Sequence, residues 1–477
     1  MEPLRLTSYV VAGRPVSSGR VMEVRYPWNG ELSGTVGLAT AVDLEEAIET
    51  GRPADSHPLS RFERSEILRR SRILLEERRD KFADLIRLEA GLCQRETLYE
   101  VGRSLDVLEF ATMEALRDDG QVFSCDLTAQ GKARKIFTVR EPVALVAAIT
   151  PFNHPLNQVP HKLAPAVAAG APMILKPSDK TPLTAIRFVE LLYEAGLPSG
   201  YLSVLLGDLD EVITPMVADE RIEMLAFTGS VSIGKHIASH AGYKKLCLEL
   251  GGNSPLIVLE DADLDLAVNL AAEGCFRNSG QRCTAVKRLL VHEALVDSFT
   301  EKFLERAKTY HCGDPADPET RVGTVINAES ANHLASVVKE AVADGARLLL
   351  GGDPDGASMP PTVIGDVKRH SRMVVEESFG PLAPILSVSG IDDAIDLANS
   401  TAYGLSSGVV TNDMEAALKA VKGIRTGTGT VNINELPGYR IENSPFGGVK
   451  DSGLGIREGV IEAMKFMTNT KTFSLPW

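Results

Sequence analysis

The chain has 477 residues, more than one ordinary core encloses, so two or three subdomains are expected. Hydrophobic residues make up 44% and charged residues 24%, a globular composition that excludes wholesale disorder. Lysine and arginine number 50 against 64 acids, leaving a net charge of −14 that disfavours nucleic acid and anionic membranes as general partners.

The chain start has an acid at position two and no long apolar run, so no signal peptide is read. Residues 61–118 are charged and helical in period, with apolar positions at Ile67, Leu68, Ile73, Leu74 and Leu75. KARKIFTVREP (132–142) reads as a strand outside the pattern that follows. From residue 143, strand-length apolar runs alternate with helix-length segments: 143–149, 172–176, 201–206, 222–227 and 244–250 are strands, and 182–196 is a helix. This alternation predicts βαβ units and a doubly wound parallel sheet. Residues 163–175, the longest weakly polar stretch, are broken by two prolines and a glycine and are too short to cross a bilayer. A second α/β run extends from LIVLE (256–260) to about residue 440. The tail 468–477 is strand-like, and with 132–142 it can form a small separate sheet of the kind often used for assembly. Six cysteines without a C-x-x-C pair fit free thiols in a reducing cytoplasm.

Several segments carry chemistry. FTGSVSIGKH (227–236) follows a strand, opens a helix and nearly matches the phosphate loop of NTPases, but His236 stands where that motif needs Ser or Thr. Free N–H groups approached through Gly229 can still hold a pyrophosphate. The G-x-G-x-x-G dinucleotide fingerprint is absent. GQRC (280–283) sets Arg282 beside Cys283, where a cation favours the thiolate. A lone cysteine is more often a packed structural residue, a surface glutamate at a turn is the ordinary reading of Glu249, and a turn-forming Asn that of Asn153. The functional readings are a general base at a strand end followed by two glycines for Glu249, and an oxyanion donor at a strand end for Asn153.

Taken in order, PFN (151–153), KPSDKTP (176–182), FTGS (227–230), ELGGNSP (249–255), GQRC (280–283), EESFGP (376–381) and SPFGGVKDSG (444–453) resemble the aldehyde dehydrogenase superfamily over nearly the whole chain. The resemblance implies an α/β fold with a Rossmann-like NAD-binding domain (1–123 and 143–251), an α/β catalytic domain (252–457) and a bridging or oligomerisation element (124–142 and 458–477). It implies Cys283 as nucleophile, Asn153 with the Cys283 N–H as oxyanion hole, and Glu249 as the base that activates water. Lys176, Ser178, Asp179, Gly229, Ser230, Glu377 and Phe379 are the implied cofactor contacts, with NAD favoured through Asp179 and NADP possible through Lys176 or Lys180. The implied reaction is thiolate attack on an aldehyde, hydride transfer to the nicotinamide, then thioester hydrolysis. Glu458 matches no role, and no metal site is assigned. A cytoplasmic homodimer or homotetramer with no nucleic-acid or membrane partner is expected.

Arg103, Arg282 and Arg440 stand at positions matching funnel segments, with His154 and Thr284 beside Asn153 and Cys283. One arginine alone is usually solvated or paired; three around one thiol suit an anion, since a guanidinium grips two oxygens at once. Segments 149–157, 117–128, 280–288, 437–448 and 471–477 resemble the phosphonoacetaldehyde-oxidising subgroup, so a small anionic aldehyde, foremost phosphonoacetaldehyde, is the expected substrate. Enzymes for non-phosphorylating glyceraldehyde 3-phosphate, phosphonoformaldehyde and lactaldehyde oxidation are the alternatives. More distant ones are a coenzyme A-acylating member, which Glu249 argues against, and a non-catalytic structural member.

Overall fold

The computed structural model describes residues 4–6, 8–17, 19–51, 58–425 and 429–477. Two seven-stranded α/β sheets organise the chain. In the first, Lys245–Glu249, Met224–Thr228, Val146–Ile149, Met173–Lys176 and Leu202–Val204 run parallel in that spatial order. Strands of this kind are buried on both faces by crossover helices, which is why their sequences are continuous apolar runs. An antiparallel hairpin, Ser8–Val11 with Arg14–Ser17, extends the far edge and makes the sheet mixed. The second sheet orders Arg347–Leu350, Thr362–Gly365, Leu382–Val388, Val286–His292, Ser254–Val258, Ser406–Val410 and Thr430–Ile433, parallel except for its first pair.

The strand expected at 132–142 is Arg134–Pro142, and it pairs antiparallel along its full length with the tail strand Thr468–Pro476. Val122–Ser124 completes that three-stranded sheet. The N-terminal strands Leu4–Leu6, Val21–Arg25 and Leu32–Gly37 form a fourth sheet that the sequence pattern did not reveal. The helical stretch 61–118 resolves into Arg61–Glu77, Arg79–Ala90 and Gln94–Ala115. The first of these opens on a capping box in which Ser60 Oγ accepts from Glu63 N–H while the Glu63 carboxylate accepts from Ser60 N–H.

Between strands Val146–Ile149 and Met173–Lys176 lies Gln158–Ala169, a helix with all twelve residues buried. Its alanines let neighbouring helices pack closely. Gly170 ends it at φ +82, where the left-handed region suits glycine, and donates back to Ala166 O. The end of strand Lys245–Glu249 is tied to the C-terminal segment where Leu250 N–H donates to Ser452 O and Glu249 bridges to Gly453. Among the described residues no helix is long and apolar enough to cross a membrane.

Candidate active site

The carboxyl ends of the first sheet open onto a cavity of about 860 Å³. Asn153, Glu249 and Cys283 line it together with Lys176, Ser178, Asp179, Gly229, Ser230, Glu377 and Phe379. Open α/β sheets bind ligands at this edge.

Cys283 reaches the cavity by an unusual backbone path. After helix Leu264–Phe276, three successive residues take left-handed conformations: Asn278 at φ 56, Ser279 at φ 52 and Gly280 at φ 68. For Asn and Ser this is strain that the surroundings must impose. The clamp is visible. Lys287, buried, donates to Gly280 O at 2.5 Å and to Gly380 O at 3.2 Å. One ammonium thereby joins the nucleophile's loop to the loop carrying Phe379. Burial, with the Glu377 charge, pushes the Cys283 thiol up to about 12, while Arg440 and Arg282 pull the other way. The resting sulfur is therefore a thiol that must lose its proton to react.

Asn153 is fixed by its own amide. Its Nδ2 donates one hydrogen to Gln281 O at 2.8 Å, and its main-chain carbonyl accepts from Asn278 Nδ2 at 3.0 Å. The second Nδ2 hydrogen remains for a ligand. The Cys283 N–H has no acceptor among the described residues, so two donors are free beside the sulfur. The loop that holds Asn153 is tied down by Glu100, whose Oε1 accepts from Leu156 and Asn157 N–H at 2.8 and 2.9 Å. The other Glu100 oxygen faces His154 Nδ1 at 3.5 Å.

Glu249 ends its strand with both carboxylate oxygens buried and without a hydrogen bond among the described residues. Burial raises it well above the usual carboxylate range. The Glu458 charge adds to this, and Lys162 opposes it. Glu458, which matched no role in the sequence, pairs with Lys162 at 2.5 Å and lies 3.9 Å from Cys247 Sγ.

The cavity fits a dinucleotide. Ser230 caps helix Val231–His240, its Oγ accepting from Ile233 N–H at 3.4 Å, so the helix start offers N–H groups to a pyrophosphate. A Cβ on Gly229 would lie 2.4 Å from the Phe227 ring, so only glycine allows this close turn. Ile213, Val217, Ile233 and Ile237 supply an apolar slot at one end. At the other, Glu377 Oε1 accepts from Gly252 N–H at 3.0 Å, and Phe379 stands edge-on to Phe152 at 5.7 Å. Burial raises Glu377 to about 7, opposed by the Gly252 N–H and Lys287. Lys176 meets Asp179 at 2.7 Å, and Lys180 lies over the Phe152 ring. Lys235, the lysine of the near phosphate loop, is exposed and pairs with Asp451 at 2.8 Å, so the NTPase likeness has no catalytic lysine behind it.

The remaining sequence candidates do not line this cavity. Arg103, on Gln94–Ala115, and Arg440, in the loop after Thr430–Ile433, meet through a residue the sequence reading missed, Glu442. Its Oε1 accepts from Arg103 Nε, and its Oε2 lies 2.7 Å from His161 Nε2 and 3.9 Å from Arg440 Nε. Burial alone would raise Glu442, but Arg103, His161 and Arg440 outweigh it and hold the carboxyl well below its usual range. Asn432 Nδ2 shapes the Arg440 loop by donating to Leu436, Pro437 and Tyr439 carbonyls. Gly438 lies against Thr284, where a Cβ would come within 2.4 Å of Oγ1. Arg440 stacks on the Phe446 ring at 3.5 Å, and no hydrogen-bond acceptor lies on it among the described residues. Arg282 is placed differently. Its Nη2 donates to Glu273 O and Gly274 O, the last carbonyls of helix Leu264–Phe276, while its buried Nε has no partner.

Residues 15–473 match the aldehyde dehydrogenase family, and the chain belongs to it. Members of this family are NAD(P)-dependent oxidoreductases that oxidise aldehydes. A 3-sulfolactaldehyde dehydrogenase of Priestia aryabhattai is 38% identical, over 98% of this chain and 97% of that one. Aldehyde dehydrogenase 21 of Physcomitrella patens, solved with its reaction product succinate, superposes with a TM-score of 0.96 at 34% identity, covering 100% and 99% of the two chains. NADP-dependent glyceraldehyde-3-phosphate dehydrogenase of Bacillus halodurans, solved with NADP, gives 0.95 at 32% identity, covering 99% of each.

Proposed function

We propose that this aldehyde dehydrogenase oxidises a small aldehyde whose far end carries an anion, with phosphonoacetaldehyde, the subgroup its sequence most resembles, among the candidates. Arg440 carries the reading. It is a half-buried guanidinium with no hydrogen bond among the described residues, held flat on Phe446 and close enough to Cys283 and Glu249 to affect both. Its one ionic neighbour, Glu442, stands 3.9 Å away, too far to occupy its donors, so the fork is available to the oxygens of an anionic ligand. The named relatives support the same class, since sulfolactaldehyde, succinate and glyceraldehyde 3-phosphate each bear a charged group away from the reacting carbon.

Cys283 attacks the aldehyde carbon, and the oxygen becomes an oxyanion facing the free Asn153 hydrogen and the Cys283 N–H. The nicotinamide, when bound, supplies the acceptor for hydride. Residues 1–123 with 143–251 hold the nucleotide, and Lys176, Ser178, Asp179, Gly229, Ser230, Glu377 and Phe379 are its contacts. Residues 252–457 carry the nucleophile. Glu249, once ionised, takes a proton from the water that hydrolyses the thioester. Thr284 packs beneath the Arg440 loop, and His154 and Arg103 complete the anion end. The strands within 124–142 and 458–477 form the assembly surface of a homodimer or homotetramer.

The test compares kcat/KM for phosphonoacetaldehyde, glyceraldehyde 3-phosphate, lactaldehyde and propanal in wild type and Arg440→Gln. One charge-assisted contact is worth about 1.5–3 kcal/mol, so the anionic aldehydes should lose about ten- to a hundredfold while propanal changes little. Equal losses on charged and neutral aldehydes would make Arg440 structural and remove the reading.

A further inference from the structure

We infer that Glu89, a buried carboxylate outside the cavity, is a positioning residue for the cofactor: it caps the helix that begins where the Lys176–Asp179 loop ends, and so fixes that loop against the nucleotide. The inference rests on the proposed role of this loop in cofactor binding.

Helix Pro182–Glu194 does not cap itself. A helix start leaves its first N–H groups without intrahelical acceptors, and the side chain just before the helix ordinarily takes one of them. Thr181 holds that position, but its Oγ1 is buried and makes no hydrogen bond among the described residues. Pro182 has no N–H to satisfy. The N–H groups of Leu183 and Thr184 are answered instead by Glu89, 94 and 95 positions away. Its Oε2 accepts from Leu183 at 2.7 Å and its Oε1 from Thr184 at 3.1 Å. Both oxygens of one carboxylate are spent on one helix start.

The loop and the helix start form one hydrogen-bonded unit. After strand Met173–Lys176, Ser178 Oγ accepts from Lys180 N–H at 3.2 Å, and Ser178 O accepts from Thr181 N–H at 3.2 Å. A shift of the first helical turn therefore carries Ser178 and Asp179 with it. Glu89 is itself held from the other side. It lies at the end of helix Arg79–Ala90, and the next residue, Gly91, accepts at its O from Thr324 N–H at 2.8 Å. Gly91 sits at φ 69, and a Cβ there would collide with Thr324 Oγ1, so the helix end seats directly on that segment. Ile326 N–H in the same segment donates to Gln281 Oε1 at 2.9 Å, beside the nucleophile's loop. Anchored in this way, the cap holds the loop rather than following it.

The experiment titrates NADH into the enzyme by its fluorescence at about pH 9. There Glu89, which burial raises to about 8 against the pull of Thr184 and the Leu183 N–H, is a carboxylate and accepts at both oxygens. Glu89→Gln keeps the shape but accepts at one oxygen and turns its NH2 on the other helix N–H. Its Kd for NADH should rise about tenfold, with KM for NAD rising in step, while kcat at saturating NAD and aldehyde stays within about threefold of wild type. Adding Thr181→Asp to that variant supplies the missing local cap and should recover most of the lost affinity. Affinity lost without recovery, or kcat lost in the same proportion, would show that Glu89 only supports the fold and would overturn the inference. So would an unchanged Kd in Glu89→Gln where Lys176→Ala, in the loop itself, weakens binding. An unchanged Kd in Lys176→Ala would overturn the cofactor role of the loop, and the inference with it. Should Glu89→Gln not fold, wild type decides. Hydrogen exchange should find the Leu183 and Thr184 amides as slow as the middle of their helix, and exchange as fast as at an uncapped helix start overturns the inference.

Discussion

Burial and the Glu458 charge raise the Glu249 carboxyl well above the usual carboxylate range, so it keeps its proton to higher pH than an ordinary carboxylate and must lose it before it can accept one from water. Thioester hydrolysis should therefore climb with pH well past the range where an ordinary carboxylate has finished ionising. Glu249→Gln should abolish that climb and leave a burst of NADH, about one per site, followed by turnover slowed about 10²- to 10⁴-fold. Stopped-flow absorbance reads both phases, and turnover near the wild-type rate would show that water is activated elsewhere. At the cofactor's other end, Asp179 pairs with Lys176 and sets a carboxylate against a 2′-phosphate, while Lys180 lies over the Phe152 ring. Wild type should favour NAD over NADP in kcat/KM, and Asp179→Ser, which releases Lys176, should shift that ratio about ten- to a hundredfold toward NADP. Equal use of both cofactors by wild type would count against Asp179 as the discriminator.

The loops at the strand ends are set by close approach. A Cβ on Gly280 would lie 2.2 Å from Gly380 O, at a φ of 68 that side chains avoid. Gly280→Ala should cost about 2–4 kcal/mol from left-handed strain and overlap together, and should spread the two loops that Lys287 clamps. Chemical denaturation checks the stability and KM for the cofactor checks the loops; a variant with wild-type values for both would show that the loops are not coupled here. These elements also show what a sequence can disclose. Apolar runs ending in PFN or ELGG placed Asn153 and Glu249 at strand ends, because buried parallel strands have a readable composition. Glu377 and Phe379 were reachable only through motif resemblance, since nothing in EESFGP has a period. Glu442 left no signal: it lies in an aperiodic loop, and its partners Arg103 and His161 are 339 and 281 positions away. The short N-terminal strands were missed for a related reason, since three to six residues give alternation too little length to register.

Across the whole molecule, buried charges find partners far away in the chain. Lys162–Glu458 and His161–Glu442 are formed by consecutive residues of one helix reaching to two segments of the distant C-terminal third. Arg288 lies fully buried in the second sheet with four hydrogen bonds to the carbonyls of Asn253, Leu397 and Ala398, and so serves packing alone. The distinction lies in the partners: neutral carbonyls hold a cation still, whereas a carboxylate shared with a second cation leaves charge to be used.

Helix Gln158–Ala169, wholly enclosed, has a consequence for time as well as structure. Gln94–Ala115 and Val460–Phe466 pack on it, and no face of it meets solvent. Its amide hydrogens can trade with deuterium only when the surrounding helices part, so opening it is close to opening the whole nucleotide-binding half. Hydrogen exchange followed by mass spectrometry should find residues 159–169, apart from the prolines, among the slowest in the chain. Added urea should speed them with the steep dependence of global unfolding. Fast exchange in this helix, with the rest of the first sheet protected, would mean that His161 and Lys162 visit water on their own and that the enclosure is only an average.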